Sequence, residues 1–372
     1  MSRGAQQSSD TILSELTPRQ SAVLRALVLR YIESATPVGS ETLTRSDFSS
    51  VSSATIRNDF SVLEAAGLIF QPHTSAGRIP SQLGYRVFVE RLLPETSLPE
   101  GEQHTILHQF SQVEQDVDEW LRIATSALAQ ASRSAAIVSG VVTPQCRLQT
   151  FELVPIDTAR ALLVAITVDA NVMQHIWQLP HRAQLSDLRA LAASVAFQCS
   201  GKTVDEIRDS LKVEEALSLE TLIKHELLSM LESHQERQWS VQFRDGLANV
   251  LNQPEYSRAV SDDLRRQRIL DLLTIVEGGD LLREIFLDVA RQHSLRILIG
   301  EDHPDELRDV AVVLCPYGTA EQMVGVIGVV GPTRLNYQRA IYASRYISNI
   351  LSYLIQELPP RLLSEEFGRM AS

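Results

Sequence analysis

The residues best suited to chemistry fall in one stretch, residues 52–86, SSATIRNDFSVLEAAGLIFQPHTSAGRIPSQLGYR. Arg57 and Asn58 stand side by side, and their donor patterns suit guanine O6/N7 and adenine N6/N7 respectively. Around them Ser53, Ala54, Thr55 and Ser61 are short or hydroxylic, as close approach to a groove and to phosphate requires. Further on, His73, Thr74, Ser75 and Arg78 offer hydroxyls and cations fit for phosphate oxygens or the minor groove. This is hydrogen-bonding chemistry, directed at recognition.

Such a set must be carried by a helix and a small hairpin. Ser52 and Ser53 offer N-cap oxygens, which satisfy the orphan N–H groups of a first turn. Ile56, Phe60 and Leu63 recur at the spacing of one buried helical face. The opposite face carries Ala54, Asn58 and Ser61, flanked by Thr55 and Arg57. An ordinary solvent-facing helix would be richer in Lys and Glu. Gly67 stands where the helix should end, in a position tolerant of φ > 0. Leu68-Ile69-Phe70, a turn-rich QPHTSAG and Arg78-Ile79-Pro80 then predict strand, polar loop and strand, which is a wing. Upstream, Pro18 opens a helix with Leu24, Leu27, Val28 and Tyr31 on its buried face, and Ser40 caps a short second helix, SETLTRS.

The composition fits this reading. The chain has 372 residues, 44% hydrophobic and 22% charged, an ordinary globular balance with room for two or three domains. Net charge is −12, yet residues 18–93 hold eight arginines against six acids. A basic reading head on an acidic body is the implied distribution. No apolar run is long enough to span a bilayer, and the polar N-terminus lacks a signal-peptide core; a cytoplasmic, nucleoid-associated protein without membrane contact is expected. Cys146, Cys199 and Cys315 are far apart and read as core thiols rather than a disulfide or zinc framework. His225-Glu226 begins a zincin-like pattern, but position 229 is Ser. Gly325, Gly328 and Gly331 lie inside an apolar run with no following GK[ST], so close backbone packing is expected there and not a phosphate loop. No nucleophile elbow or metal set appears; neither an enzyme nor a cofactor is expected.

Past the head, Tyr85, Phe88 and Leu92 mark a helix, and PETSLPEG (94–101) reads as a linker. A long amphipathic helix is expected over 102–136. Strands are expected over 147–157 and 160–179, a helical block over 183–262, and helices over 264–276 and 280–292. Strands return at 295–300, 310–318 and 324–331, and a last helix covers 336–358. This predicts an α+β body with an insertion.

The segments PVGSETL (37–43), SSATIRNDFSVLEAAGLI (52–69) and PHTSAGRIPSQLGYRVFV (72–89) resemble the HrcA family of heat-inducible transcription repressors, from about Leu16 to Leu93. VGVIGVVGPTRLNYQRAI (324–341) is similar to that family's Gly-rich strand and Gly-Pro-Thr-Arg turn. Residues 1–15 read as a disordered tail, and residues 16–94 as a winged helix-turn-helix DNA-binding domain, as the resemblance also implies. It implies a GAF-like α+β domain in two parts, 102–182 and 263–358, interrupted by a mostly helical dimerising domain over 183–262, with a C-terminal tail at 359–372. It also implies a homodimer on double-stranded DNA at a CIRCE-type inverted-repeat operator, kept active by the GroE chaperonin. The other function left open is a ligand-gated regulator that uses the GAF-like domain as a small-molecule sensor.

Overall fold

The computed structural model describes residues 16–74, 76–94, 96–113, 116–142, 146–168, 171–180, 185–211, 218–256, 261–277, 280–300, 309–319 and 323–357. Both expected tails, Ser75 and the charged stretch 301–308 lie outside the described residues.

The head begins with α1 (Pro18–Ser34), opened by a capping box. Gln20 N–H donates to Thr17 Oγ1 at 3.3 Å, and Thr17 N–H donates to Gln20 Oε1 at 2.8 Å, so two orphan donors are satisfied at once. Next come α2 (Ser40–Ser46), α3 (Ser53–Ala65), and a wing of β1 (Ile69–Phe70) and β2 (Ile79–Pro80). Phe70 pairs with Ile79 and Ile69 with Pro80, antiparallel. Then α4 (Gln82–Val87) runs into a π-helical turn, Phe88–Leu92. Val23, Leu24, Leu27 and Val28 of α1 meet Leu43 of α2 and Ile56, Phe60 and Leu63 of α3 in a dry core. Each such side chain contributes about 1.5–3 kcal/mol by leaving water.

In the body, α5 (Glu100–Ser111) and α6 (Val117–Ser132) are separate helices, which corrects the single helix expected over 102–136. Asp116 is the reason: its carboxylate accepts the Glu119 N–H at 3.0 Å and starts α6 afresh. Arg133, at φ 54°, ends α6 in the left-handed region. Strand β3 (Ala135–Ser139) follows. The central sheet adds β7 (Val241–Asp245), β8 (Arg296–Ile299), β9 (Val310–Thr319) and β10 (Met323–Pro332) in the order β7-β3-β10-β9-β8, all antiparallel. One face packs on α6 and on α13 (Tyr337–Gln356), in a core continuous with that of the head. The other packs on α10 (Leu247–Leu251), α11 (Asp262–Val276) and α12 (Asp280–Gln292). With both faces covered, β9 is buried from Val310 to Gly318. That is why its sequence runs apolar without alternation. The glycines of β10 serve close packing: a Cβ on Gly325 would lie 2.2 Å from the Tyr317 ring, and one on Gly328 2.4 Å from the Val313 carbonyl oxygen.

Strands β4 (Leu148–Pro155), β5 (Arg160–Thr167) and β6 (Val172–Gln178) form a second sheet, β4-β5-β6. They do not join the central one. Phe151, Leu153, Leu163 and Met173 instead share a core with α7 (Leu185–Cys199), α8 (Val204–Leu211) and α9 (Leu219–Gln238). The expected boundaries at 182 and 262 therefore miss the places where packing changes. The separate core spans Cys146 to Leu231, and Trp239 already belongs to the central sheet's core. The inserted block is thus an α+β unit with its own sheet. The α+β class and the winged helix-turn-helix ahead of it are as expected. All three cysteines are buried and none is in a disulfide.

The expected linker is fastened down. Tyr342 Oη donates to the Pro94 carbonyl at 2.6 Å and accepts the Thr96 N–H at 3.0 Å, and Gln338 Nε2 donates to Thr96 Oγ1 at 2.6 Å. Arg334, in the turn after β10, forks onto Glu255 at 2.6 and 3.2 Å and donates through Nη1 to the Ile32 carbonyl at the end of α1. The Tyr85 and Tyr337 rings lie 5.7 Å apart across the same joint, and burial pushes the Tyr85 phenol well above its usual value.

Candidate nucleic-acid interface

Helix α3 is capped by Ser52, whose Oγ accepts the Thr55 N–H at 3.1 Å. Ser53, expected to share that task, is the first helical residue. The helix ends at Ala65 with Ala66 as its C-cap, and Gly67 follows at φ 72° with nothing within 4 Å of a Cβ placed there. Its role is backbone conformation alone.

The helix points its polar face outward as the spacing predicts. Ala54, Arg57, Asn58 and Ser61 are exposed, and Ser53 and Thr55 half-buried. Thr55 and Ser52 share a hydroxyl hydrogen bond at 2.8 Å, and Ser61 Oγ donates back to the Arg57 carbonyl at 3.1 Å. Both hydroxyls keep acceptor capacity toward solvent or a ligand.

The buried face holds one residue that periodicity does not suggest. Asp59 is only 2% exposed and accepts a bidentate fork from Arg19 of α1, Nε at 2.9 Å and Nη2 at 3.1 Å. That hydrogen bond first, and the carboxylate charge second, raise the Arg19 guanidinium above its ordinary value. The pair locks the rotation of α3 about its axis against α1. An acid on an otherwise apolar face (Ile56, Asp59, Phe60, Leu63) was the available signal.

Ser40 differs from its expected role. Gly39 occupies the N-cap of α2 without a side-chain bond, and Ser40 is the first helical residue. Its hydroxyl, in a residue 8% exposed, accepts the Arg57 Nε–H at 3.2 Å.

The wing is braced from within and below. Gln71 Nε2 donates to the Thr74 and Ala76 carbonyls, each at 2.9 Å, which leaves His73 and Thr74 exposed at the tip. Val38 and Arg78 exchange two backbone hydrogen bonds of 2.9 Å, tying the wing to the turn before α2. Gly77 permits this, because a Cβ there would lie 2.5 Å from the Val38 carbonyl atoms. Arg78, expected to meet phosphate, is engaged within the head. Its side chain is only 20% exposed and donates to Glu64 Oε2 at 2.9 Å, at the end of α3. Arg78 anchors the wing to the helix. Glu64 stands fourteen residues earlier in the chain, beyond what local pattern reveals.

Among the described residues no helix is long and apolar enough to cross a membrane. A family model for the HrcA protein C-terminal domain matches residues 118–341. The heat-inducible transcription repressor HrcA of Roseiflexus sp. strain RS-1 is 36% identical over 352 residues, which cover 93% of this chain and 96% of that protein. The proteins of the same name from Herpetosiphon aurantiacus and Thermomicrobium roseum are 34% and 35% identical, each over 92% of this chain and 96% and 97% of their own length. A crystal structure described as a hypothetical protein at 2.2 Å resolution has the same fold, with a TM-score of 0.52 at 24% identity over 92% of this chain and 98% of its own. Similarity of this degree, carried through head and body alike, makes the chain a member of the HrcA family of heat-inducible transcription repressors.

Proposed function

We propose that the chain is a sequence-specific DNA-binding repressor that acts as a homodimer on a CIRCE-type inverted repeat ahead of chaperonin genes. In this reading Arg57 and Asn58 meet base edges in the major groove, while Ser53, Thr55 and Ser61 bond the phosphate backbone. His73, Thr74 and Ser75 reach phosphate or the minor groove from the wing, and Arg78 holds the wing in place for them. The GroE chaperonin keeps the repressor active, and stress that occupies the chaperonin releases the genes. The setting is the cytoplasm, at the nucleoid. As a member of a repressor family the chain is not an enzyme.

One observation carries the reading. The polar side chains of α3 are exposed together on a helix whose cap, rotation and wing are each fixed by separate bonds. A helix held this rigidly suits insertion into a major groove. Two such heads related by a two-fold axis call for an inverted repeat.

The test is binding, at fixed physiological salt, to a CIRCE-type inverted repeat and to a scrambled duplex of equal length, with and without chaperonin. Selectivity of two or more orders of magnitude is expected, rising when chaperonin is added. Arg57→Ala should cost about 1–3 kcal/mol and relax specificity at one base position. Equal binding to both duplexes by the wild-type protein would defeat the operator assignment, and undiminished selectivity in Arg57→Ala would defeat the groove contact.

A further inference from the structure

An arginine can read guanine in two ways, through its two terminal Nη groups or through Nε and one Nη. The choice fixes where the guanidinium must lie, because the fork is planar and rigid. In α3 the Nε of Arg57 is already engaged, donating to Ser40 Oγ at 3.2 Å. The acceptor is not a mobile surface group. Ser40 is the first residue of α2, 8% exposed, and its own carbonyl accepts the Thr44 Oγ1 hydroxyl at 2.9 Å. Since α2 packs on α3 through Leu43 and Ile56 in the head core, the hydroxyl has a fixed position relative to the helix it serves.

We propose that Ser40 is a positioning residue for base readout, holding the Arg57 guanidinium so that its two Nη groups face a guanine end-on. The inference rests on the major-groove reading of Arg57 given above. Arg57 is exposed, so without this bond its side chain would sample many rotamers and would lose that freedom on binding. Ser40 imposes part of that order before DNA arrives. The gain is therefore confined to the duplex that offers the matching guanine. Phosphate binding, which tolerates many side-chain arrangements, receives none of it.

The experiment compares wild type, Ser40→Ala, Ser40→Thr, Arg57→Ala and the Ser40→Ala/Arg57→Ala double variant. Fluorescence anisotropy at one salt concentration reads their binding to the CIRCE-type duplex, to versions substituted at each guanine, and to a scrambled duplex. Ser40→Ala should bind the intact repeat about three- to tenfold more weakly, the range for the net worth of one ordinary hydrogen bond. That loss should vanish on the duplex lacking the guanine read by Arg57, and in the Arg57→Ala background. Ser40→Thr keeps the hydroxyl and should recover most of the affinity. Thermal midpoints and scrambled-duplex binding should stay at wild-type values. Because the readout is a ratio between duplexes, a partial folding defect that scales all affinities cancels. Equal losses by Ser40→Ala on every duplex, or a loss that persists when Arg57 is Ala, would overturn the assignment and leave Ser40 as packing. If Arg57→Ala relaxes one position while Ser40→Ala does nothing, the Ser40 role alone falls. If Arg57→Ala keeps full selectivity, the groove reading fails and takes this inference with it.

Discussion

Replacing Gly77 by alanine tests how the wing is held. The added Cβ would lie 2.5 Å from the carbonyl carbon and oxygen of Val38 and 2.8 Å from the Pro37 carbonyl carbon. These are backbone atoms that cannot swing aside, and ordinary carbon contacts need about 3.5–4 Å, so the wing must retreat by roughly 1 Å. Gly77 itself is not in the left-handed region, so alanine adds no backbone strain and the cost is purely steric. The retreat breaks the reciprocal bonds between Val38 and Arg78, both 2.9 Å. At about 0.5–1.5 kcal/mol net for each backbone hydrogen bond, the two together hold the wing by about 1–3 kcal/mol. Amide hydrogen exchange reads this directly. The Val38 and Arg78 amides should exchange roughly five- to a hundredfold faster in Gly77→Ala, while amides in β9 keep their rates. Operator and scrambled duplex should lose affinity in similar proportion, because the displaced tip carries backbone contacts. Gly67→Ala is the control: its cost of about 1 kcal/mol arises from φ alone and should leave the Val38–Arg78 pair protected. Wild-type exchange at Val38 and Arg78 in Gly77→Ala would refute the steric argument.

Other expectations follow from the same contacts. Glu64→Ala removes the partner of Arg78, a side chain 20% exposed whose Nε already lacks a hydrogen bond. Glu64 is itself 38% exposed, so solvent screening limits the stability loss to about 1 kcal/mol. DNA affinity should not rise, and a steeper salt dependence of binding in this variant would return Arg78 to the phosphate. Tyr342→Phe deletes the hydroxyl that bonds Pro94 and Thr96; faster exchange at Thr96 and faster proteolysis within residues 93–99 are expected, and unchanged rates would show that the linker is held by other means. Residues 146–238 expressed alone should unfold cooperatively in urea, because that segment has a sheet and core of its own. The segment 183–262 should not, since it leaves that sheet behind. The reverse result would restore the boundaries expected from sequence.

The head was legible because its signals are local. A capping serine, an apolar face at i, i+4, i+7, a glycine at positive φ and a turn-rich loop all lie within a few residues of what they control. The Glu64 partner of Arg78 is not legible, because it lies across the fold and a cation in a wing looks the same whether it faces phosphate or carboxylate. Strand β3 reads as helix because Ala135 and Ala136 continue an alanine-rich run, and the break is made by Arg133 at φ 54°, a conformation for which arginine gives no warning. Asp116 with Glu119 was a visible helix start. Strands β4 to β6 are legible but their packing partners are not, because packing is decided by distant residues and not by alternation within a strand. Strand β7, VQFRD, is a short edge strand with mixed polarity and carries too little pattern to stand out from its helical surroundings.

The fastened linker bears on what counts as an exchangeable part. A DNA-reading head on a free tether can be cut out and joined to another body, and its chemistry travels with it. Here Ile32 is gripped by Arg334, Pro94 and Thr96 by Tyr342 and Gln338, and the Tyr85 ring lies tilted against that of Tyr337. A transplant that moves residues 16–94 alone would abandon those partners and expose the apolar seam they close. The natural unit of exchange is the head together with the turn after β10 and the first turns of α13, although more than two hundred residues of chain separate them. Chimeras with both pieces from one parent should inherit the orientation of the reading helix, while those that mix parents at this seam should inherit only its base preference.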